Sequence, residues 1–408
     1  MRIAAWDVFR LRIPFRFAPR RPEGGRRAED NIIVRLVLED GTAGYGEGAP
    51  REAVTGETVE SAARMIAGLY APEAEKIDPV SFGEAAWAAA GLRVVREGRT
   101  VHNAARCAVE LALLDAYGKA FGAGMDALKE SIPGIGGEGG SSAAPLVASL
   151  PRLGKFGSRA AFLFFRIFGF RSFKVTIGAP SDKISWSAAA SLARKTRRGR
   201  FAIVADAEGA WTAEEAPGLI ARLARLGFAS VEQPVPAEDL AIFARSRSEG
   251  TGIEVTADES FRTAGEAERL AAGRACDGLM VGLSKCGGLF PSLQVVEVAR
   301  RHGLRCRLGA AEGETGILSA AQGFFREIAP GFVSVEPSFS RLFLRPNIVR
   351  RPPGLGGLAG FWPRSGCGLG VRVDEKKFQD LTEKLCDRKS GAAAAGVRKA
   401  DGRSGATS

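Results

Sequence analysis

Short apolar runs alternate with amphipathic stretches through the middle of the chain. The runs occupy residues 145–150, 172–177, 201–206, 229–232, 253–258, 278–283, 305–309 and 332–336. Between them, apolar residues recur at helical spacing, as in 213–224. Eight strands that alternate with helices predict an α/β fold, in which a parallel sheet closes into a TIM-type (β/α) barrel over residues 143–340.

The pattern before and after this region is different. Period-two alternation and an Asp40-Gly41 turn predict antiparallel strands at 3–13, 31–38 and 43–47. Helical patterns follow at 58–69, 82–91 and 103–119, and the glycine-rich stretch 131–142 ends the segment. We therefore expect residues 1–135 to form an α+β capping domain to which residues 341–387 return. Residues 388–408 offer little to bury and are expected to form a disordered tail.

Three consecutive apolar runs end in an acid. Asp206, Glu232 and Asp258 are equally spaced, since 232 − 206 = 26 and 258 − 232 = 26. This period fits one strand and its returning helix, and the carboxyl ends of barrel strands converge on one face. Clustered carboxylates repel unless a cation lies between them, and oxygen ligands suit Mg²⁺ or Mn²⁺. The spacing predicts such a metal site rather than three unrelated surface acids.

Composition excludes several classes of partner. The chain has a net charge of +11, but its basic residues do not form a stripe interleaved with aromatic residues. We therefore expect no nucleic-acid binding. No apolar run reaches 18 residues and the first residues lack a signal-peptide core, so we expect no membrane partner and a cytoplasmic location. The six cysteines have no zinc or disulfide spacing.

A loop at 15–30, between the first two predicted strands, is rich in arginine. One interpretation is a solvated surface loop. The other is a lid that attracts an acidic substrate, since guanidinium groups pair well with carboxylates. On the second interpretation Arg26 is a candidate substrate-binding residue.

Six motifs occur in a specific order along the chain. They are Gly44-Tyr45-Gly46-Glu47 with Val54-Thr55-Gly56-Glu57-Thr58, the strand end at Asp206, Glu232-Gln233-Pro234, Ala257-Asp258-Glu259-Ser260, Ser284-Lys285-Cys286-Gly287-Gly288, and residues 366–371. With these motifs the chain resembles the mandelate racemase/muconate lactonizing enzyme family of the enolase superfamily, in its muconate cycloisomerase, dipeptide epimerase and o-succinylbenzoate synthase branch.

The resemblance implies a chemistry. Asp206, Glu232 and Asp258 would bind Mg²⁺, which holds the carboxylate of a small substrate and stabilises the enediolate formed when an α-proton leaves. Flanking lysines would move the proton. The resemblance also implies symmetric homo-oligomers.

The chain departs from the family at both lysine positions. The second barrel strand keeps Lys174 but has Thr176 where the base is expected, and the sixth has Gly282, three residues before Lys285. Strand alternation predicts that Lys285 would turn away from the lumen. A His-Asp dyad is also excluded, because the two histidines, His102 and His302, are expected to be structural.

Two functions stay open at this point. The first is a Mg²⁺-dependent racemase, epimerase or cycloisomerase with unusual acid/base residues, for which Lys174 is the first candidate and Glu314 and Glu208 are others. Thr176, Glu314 and Arg26 would then contact the substrate. The second is a non-catalytic metal-binding homologue that serves as a binding or regulatory module.

Overall fold

The structure is a computed structural model and describes residues 1–16, 28–131, 144–151, 154–196, 201–237, 252–329, 331–352 and 366–389. Arg26 and residues 17–25 and 27 of the arginine-rich loop lie outside these ranges, so its predicted role as a lid stays a prediction.

The capping domain combines an antiparallel sheet with a layer of helices. Its strands in the first part of the chain are β1 (Ile3–Pro14), β2 (Ala28–Leu38), β3 (Ala43–Gly48) and a short hairpin of β4 (Arg96–Glu97) and β5 (Thr100–Val101). Its helices are α1 (Val59–Met65), α2 (Ala71–Ala74), α3 (Phe82–Ala90), α4 (Asn103–Ala120) and α5 (Leu128–Ser131). A π-helical turn, Ile66–Tyr70, joins α1 to α2, and a 3₁₀ turn, Met125–Ala127, precedes α5.

The barrel is a parallel sheet whose eight strands follow one another in chain order. They are β6 (Val147–Leu150), β7 (Ser172–Thr176), β8 (Ala202–Asp206), β9 (Ser230–Glu232), β10 (Glu254–Ala257), β11 (Gly278–Gly282), β12 (Arg305–Gly309) and β13 (Phe332–Val335). A bridge between Leu146 and Val335 brings the first and last strands together. Each strand lies within two residues of its predicted bounds, and the predicted TIM-type barrel is confirmed.

Helices alternate with these strands in the described ranges. They are α6 (Gly154–Ile167), α7 (Lys183–Thr196), α8 (Ala216–Leu226), α9 (Ala264–Ala272), α10 (Leu283–Cys286), α11 (Leu289–Arg301) and α12 (Gly316–Ile328). None of the helices in the described part of the chain is both long and apolar enough to cross a membrane.

After the barrel the chain returns to the cap. It forms α13 (Ser340–Phe343), α14 (Glu375–Leu381) and β14 (Thr382–Lys389), and β14 pairs antiparallel with β1. Arg388 and Lys389, expected at the start of the tail, instead lie in this strand, because their backbones pair with Trp6 and Ala5. Residues 390–408 lie outside the described ranges.

Alternation along β7 determines which side chains reach the barrel interior. Phe173 and Val175 are buried towards the helices, where the Phe173 ring lies 4.5 Å from that of Phe162 on α6. Successive side chains of a strand point to opposite faces. Lys174 and Thr176 therefore face the interior, as the sequence predicted.

Strand β3 packs directly on the backbone of helix α4. A Cβ atom at Gly46 would lie 1.9 Å from the Ala108 carbonyl oxygen, and the neighbouring Gly44 and Gly48 are equally close to α4. Glycine at these positions allows the sheet and the helix to touch. This contact fixes α4, whose other face reaches the barrel.

We expect Gly46→Ala to lower the free energy of unfolding by roughly 3 kcal/mol, because the methyl group forces the sheet and helix apart. Urea denaturation measures the change. The control is Gly68→Ala, in a helical segment where an added Cβ meets no atom within 4 Å. Equal stability of the two variants would contradict the close packing.

Candidate metal and active site

The three predicted acids lie at the carboxyl ends of adjacent strands. Asp206 of β8 pairs in register with Glu232 of β9, and Glu232 pairs with Thr256 of β10, two residues before Asp258. Asp206 and Glu232 both contact Lys174 of the barrel interior, and Asp258 is close enough to Glu232 to act on its charge. The structure thus brings the predicted acids together, with Asp258 one residue beyond the end of β10.

Lys174 lies among these acids. Its Nζ is 2.7 Å from Glu336 Oε2, 3.2 Å from Glu232 Oε1 and 3.4 Å from Asp206 Oδ2. Burial alone would lower the pKa of Lys174, but these three carboxylates together raise it well above its ordinary value. In these contacts the Lys174 ammonium group is a donor to the acids that surround it.

Glu232 is the most buried of the three acids, with 1% of its surface exposed. Burial raises the pKa of Glu232 well above its ordinary value, and the charges of Asp206, Glu336 and Asp258 raise it further. The positive charge of Lys174 lowers this pKa but does not outweigh these effects. Its Oε2 atom has no hydrogen-bond partner among the described residues. A buried carboxylate oxygen without a partner is costly unless a cation completes the site.

Lys285 also reaches the cluster, contrary to expectation. Its Nζ lies 2.5 Å from Asp258 Oδ1, 2.7 Å from the Asp258 carbonyl oxygen and 2.6 Å from the Met280 carbonyl oxygen. The expectation was wrong because the strand ends at Gly282 and Lys285 belongs to the helical turn α10, to which strand alternation does not apply. A Cβ atom at Gly282 would lie 3.5 Å from that of Lys285, so Lys285 borders the space where the family has a lysine.

Two further acids complete the cluster, and sequence reasoning assigned neither to it. Glu336 directly follows the last barrel strand, much as Asp206 is the last residue of β8. This position after a strand was the sequence signal that could have placed Glu336 in the cluster. Glu259 follows Asp258 directly. Burial raises the pKa of Glu259 to about 8, with Asp258 and Asp206 adding to the rise, and its Oε2 has no hydrogen-bond partner among the described residues.

Gln233 ties the ends of β9 and β10 together. Its backbone N–H donates to the Thr256 carbonyl, and its side-chain Oε1 accepts from the Asp258 and Ser260 amides. Gln233 has a backbone φ angle of +38°, which is unusual for a residue other than glycine. These bonds fix the turn that carries Asp258 beside Glu232.

Other predicted residues lie elsewhere. Glu208 is exposed, and its amide donates to Asp206 Oδ1. His102 contacts Glu97 in the cap, and His302 contacts Glu268 on α9. Arg26 is outside the described ranges, so its role at the substrate stays a prediction.

Glu314 is buried between the barrel and the cap. Its Oε1 accepts from the Ala311 amide at 2.8 Å, and its charged neighbours include Glu47 and Arg51 of the cap. Burial raises the pKa of Glu314 to about 8, and the negative charge of Glu47 adds to the rise. The hydrogen bond from the Ala311 amide lowers this pKa but does not outweigh burial. None of these contacts is with the acid cluster, so the predicted substrate contact of Glu314 has no support from its surroundings.

The pKa of Glu314 implies a pH-dependent stability. A carboxyl group with a folded pKa near 8 and an ordinary value of 4.5 binds more protons when folded, so stability falls as the pH rises through this window. Glu314→Gln, which keeps an acceptor for the Ala311 amide, should remove a decline on the order of a few kcal/mol between pH 5 and 8. Unfolding curves across this range measure it. An unchanged slope in the variant would contradict the assignment.

Comparison with known proteins supplies the family. A family model described as "Enolase C-terminal domain-like" matches residues 163–377. The chain belongs to this family. Muconate cycloisomerase 1 of Rhodococcus opacus is 28% identical over 356 residues, which are 85% of this chain and 89% of that protein. N-succinyl-L-Arg/Lys racemase of Bacillus cereus is 25% identical over 395 residues, 94% of this chain and 98% of that protein.

Solved structures of the enolase C-terminal domain-like family share the fold. The N-succinyl Arg/Lys racemase from Bacillus cereus superposes with a TM-score of 0.79 at 22% identity, covering 95% of this chain and 99% of that one. Muconate lactonizing enzyme from Pseudomonas putida superposes with a TM-score of 0.79 at 21% identity, covering 94% and 100%. The resemblance inferred from the six motifs is confirmed.

Relatives in this enolase-type family generally depend on a divalent metal, and the acid cluster can be tested for fit. Within the described ranges, no three His, Cys, Asp or Glu side chains are already arranged to bind a metal ion. Lys174 and Lys285 lie between the acids instead. Five carboxylates nevertheless face two ammonium groups, and one oxygen each of Glu232 and Glu259 has no hydrogen-bond partner there. In charge and donor type the cluster fits Mg²⁺ or Mn²⁺.

Proposed function

We propose that this protein is a Mg²⁺-dependent isomerase or lyase that acts on the carbon next to the carboxylate of a small acid. The observation that carries the proposal is the cluster of Asp206, Glu232 and Asp258 at the carboxyl ends of adjacent barrel strands, with two ammonium groups directed at it. The relatives are named as cycloisomerases, racemases and epimerases, which supports this reaction type.

Asp206, Glu232 and Asp258 would hold the metal. When bound, the metal supplies positive charge that stabilises negative charge developing on a substrate carboxylate. The single positive charge of Lys174 is shared by Glu232, Glu336 and Asp206 and lowers the repulsion among them. We therefore assign Lys174 an electrostatic role in the reaction.

The lysines favour one class of reaction within the family. Racemisation at carbon requires a base to remove the proton, and neither Thr176 nor Gly282 supplies one. The ammonium groups of Lys174 and Lys285 are already bound to carboxylate or carbonyl oxygens. Conjugate addition needs only a proton donor. An oxygen of one substrate carboxylate bonds to the carbon β to the other carboxylate, and the π electrons of that carbon–carbon double bond move onto the α-carbon and its carboxylate. The α-carbon then takes a proton from an ammonium group, which leaves a neutral amine. The resulting amine is reprotonated by water.

We therefore propose a cycloisomerase-type reaction with Lys285 as the proton donor. Lys285 borders the space beside Gly282, and its ammonium group lies at Asp258. The substrate class that fits is a small unsaturated dicarboxylate, whose second carboxylate provides the attacking oxygen.

Proton incorporation in D₂O tests this function. Purified protein with Mg²⁺ is incubated with unsaturated dicarboxylates, N-acyl amino acids, dipeptides and succinylbenzoate-type acids, and the products are followed by NMR. We expect deuterium at the α-carbon of a cyclised product, lost on chelation and in Lys285→Met. Exchange into an N-acyl amino acid or dipeptide instead would overturn the cycloisomerase assignment in favour of a racemase or epimerase.

The second candidate function is a non-catalytic metal-binding module. The specific observation in its favour is that Thr176 and Gly282 replace both lysines that the family places on the second and sixth strands. The same experiment separates the two. A protein that binds Mg²⁺ but incorporates no deuterium into any acid of the panel would be this module.

A further inference from the structure

The turn that carries Lys285 is held by one face of the cap helix α4. Asn103 Nδ2 donates to the Lys285 carbonyl oxygen at 2.6 Å. Arg106 Nη1 donates to the Gly287 carbonyl oxygen at 2.5 Å, and the Leu289 amide donates to Glu110 Oε1. Residues three or four apart on a helix share a face, so Asn103, Arg106 and Glu110 form a single row along α4.

This row is deeply buried. Asn103 and Glu110 are fully buried and Arg106 is 1% exposed, and Arg106 Nη1 lies 2.5 Å from Glu110 Oε2. Burying an ion pair seldom adds net stability compared with apolar side chains of similar volume. Arg106 also donates to the Leu92, Ala89 and Ala90 carbonyl oxygens of the cap. Its bond to Gly287 and the bond between Glu110 and Leu289 connect this anchored pair to the Lys285 turn, which indicates a role in fixing that turn.

Two consecutive glycines permit the contact. Gly287 and Gly288 have φ values of +101° and +117°, a region that other residues rarely adopt. A Cβ atom at Gly288 would lie 2.3 Å from Glu110 Oε1. The glycine pair therefore lets the turn approach the carboxylate of α4 closely.

The cap holds the beginning of the turn as well. The Ala49 amide, which follows β3, donates to Ser284 Oγ at 2.7 Å. The turn is thus fixed by the cap from Ser284 to Leu289, while the Lys285 side chain extends the other way to Asp258. A continuous set of contacts leads from α4 through the turn to the acid cluster.

We infer that Asn103, Arg106 and Glu110 of the cap are positioning residues that place the Lys285 ammonium group at Asp258. The catalytic consequence of this inference rests on the proposed function, but the positioning itself does not. The cap thereby controls the barrel site through its backbone contacts with one turn.

Chemical labelling of Lys285 tests the positioning without substrate or metal. The folded protein is treated briefly with an amine-acetylating reagent, and labelling of each lysine is quantified by peptide mass spectrometry. Asn103→Ala adds no atoms and removes the Nδ2 hydrogen bonds to the Lys285 and Arg262 carbonyl oxygens. We expect Lys285 labelling to rise about tenfold, the change that follows from loss of the buried hydrogen bond to its own backbone. Labelling of Lys119, which pairs with Asp115 in the cap, should not change.

Gly288→Ala and Glu110→Gln sharpen the test. Gly288→Ala pushes the turn from α4 and should raise Lys285 labelling at least as much as Asn103→Ala, whereas Glu110→Gln keeps an acceptor for the Leu289 amide and should have less effect. The matched control is Gly303→Ala, at a φ of +66° with no atom within 4 Å of the added Cβ, where backbone strain is introduced without this contact.

Unchanged Lys285 labelling in Asn103→Ala would overturn the inference, even if the melting temperature fell. If Gly288→Ala does not fold, Asn103→Ala decides alone. Raised labelling together with no deuterium incorporation in the wild-type protein would reject the proposed function and leave the positioning intact.

Discussion

Lys174→Met should lower the free energy of unfolding by about 3–5 kcal/mol at neutral pH, because it removes one partner from a buried set of ion pairs. Methionine matches the length of the lysine stem but leaves Glu232, Glu336 and Asp206 without the ammonium group that lies within 3.4 Å of each. Urea denaturation followed by circular dichroism measures the loss.

Mg²⁺ should partly restore this variant. A divalent cation that binds the folded state stabilises it by mass action, and it replaces the positive charge removed with Lys174. The matched control is Lys183→Met at the start of α7, where the lysine is exposed and the expected change is small. A loss below about 1 kcal/mol in Lys174→Met would contradict the central place of this lysine.

Reintroducing the missing lysines should produce the largest change in chemistry. In a variant with Thr176→Lys and Gly282→Lys, we expect α-proton exchange of bound carboxylates to rise by about 10²–10⁴, the usual contribution of a positioned acid/base group. Thr176 faces the interior beside Asp206, with which it pairs in register. At Gly282 an added Cβ makes an ordinary contact of 3.5 Å with Lys285.

The matched control for this gain carries methionine at both positions, which gives similar length without a base. NMR in D₂O with Mg²⁺ reports the exchange rate of each acid in the panel. A rise in the lysine variant alone would show that the site lacks only its bases. Equal rates in the lysine and methionine variants would contradict the placement of these two positions around the substrate.

The sequence predicted the barrel because its signals are local. Each strand is an apolar run of the right length, and Asp206 and Glu232 each end one of these runs. Equal spacing of the acids predicts that they lie on one face of the barrel. The return of the chain to the cap followed from its irregular composition, although the position of β14 beside β1 depends on contacts between distant residues.

The parts that sequence reasoning missed depend on turns and on contacts across the domain boundary. Lys285 was assigned outside the lumen because strand alternation was extended past Gly282, where the chain becomes helical. Glu314 lies between the barrel and the cap, and its expected substrate contact stays a prediction. The row of Asn103, Arg106 and Glu110 is indistinguishable in sequence from an ordinary helix face.

Titration of the protein with Mg²⁺ by calorimetry tests the central claim most directly, because every step proposed at the barrel mouth requires a cation among the acids. We expect one site in the wild-type protein. Asp206→Asn, Glu232→Gln and Asp258→Asn should each weaken binding by at least about tenfold, since each removes one charged ligand. A wild-type protein that binds neither Mg²⁺ nor Mn²⁺, or three variants that bind as the wild type does, would contradict the account.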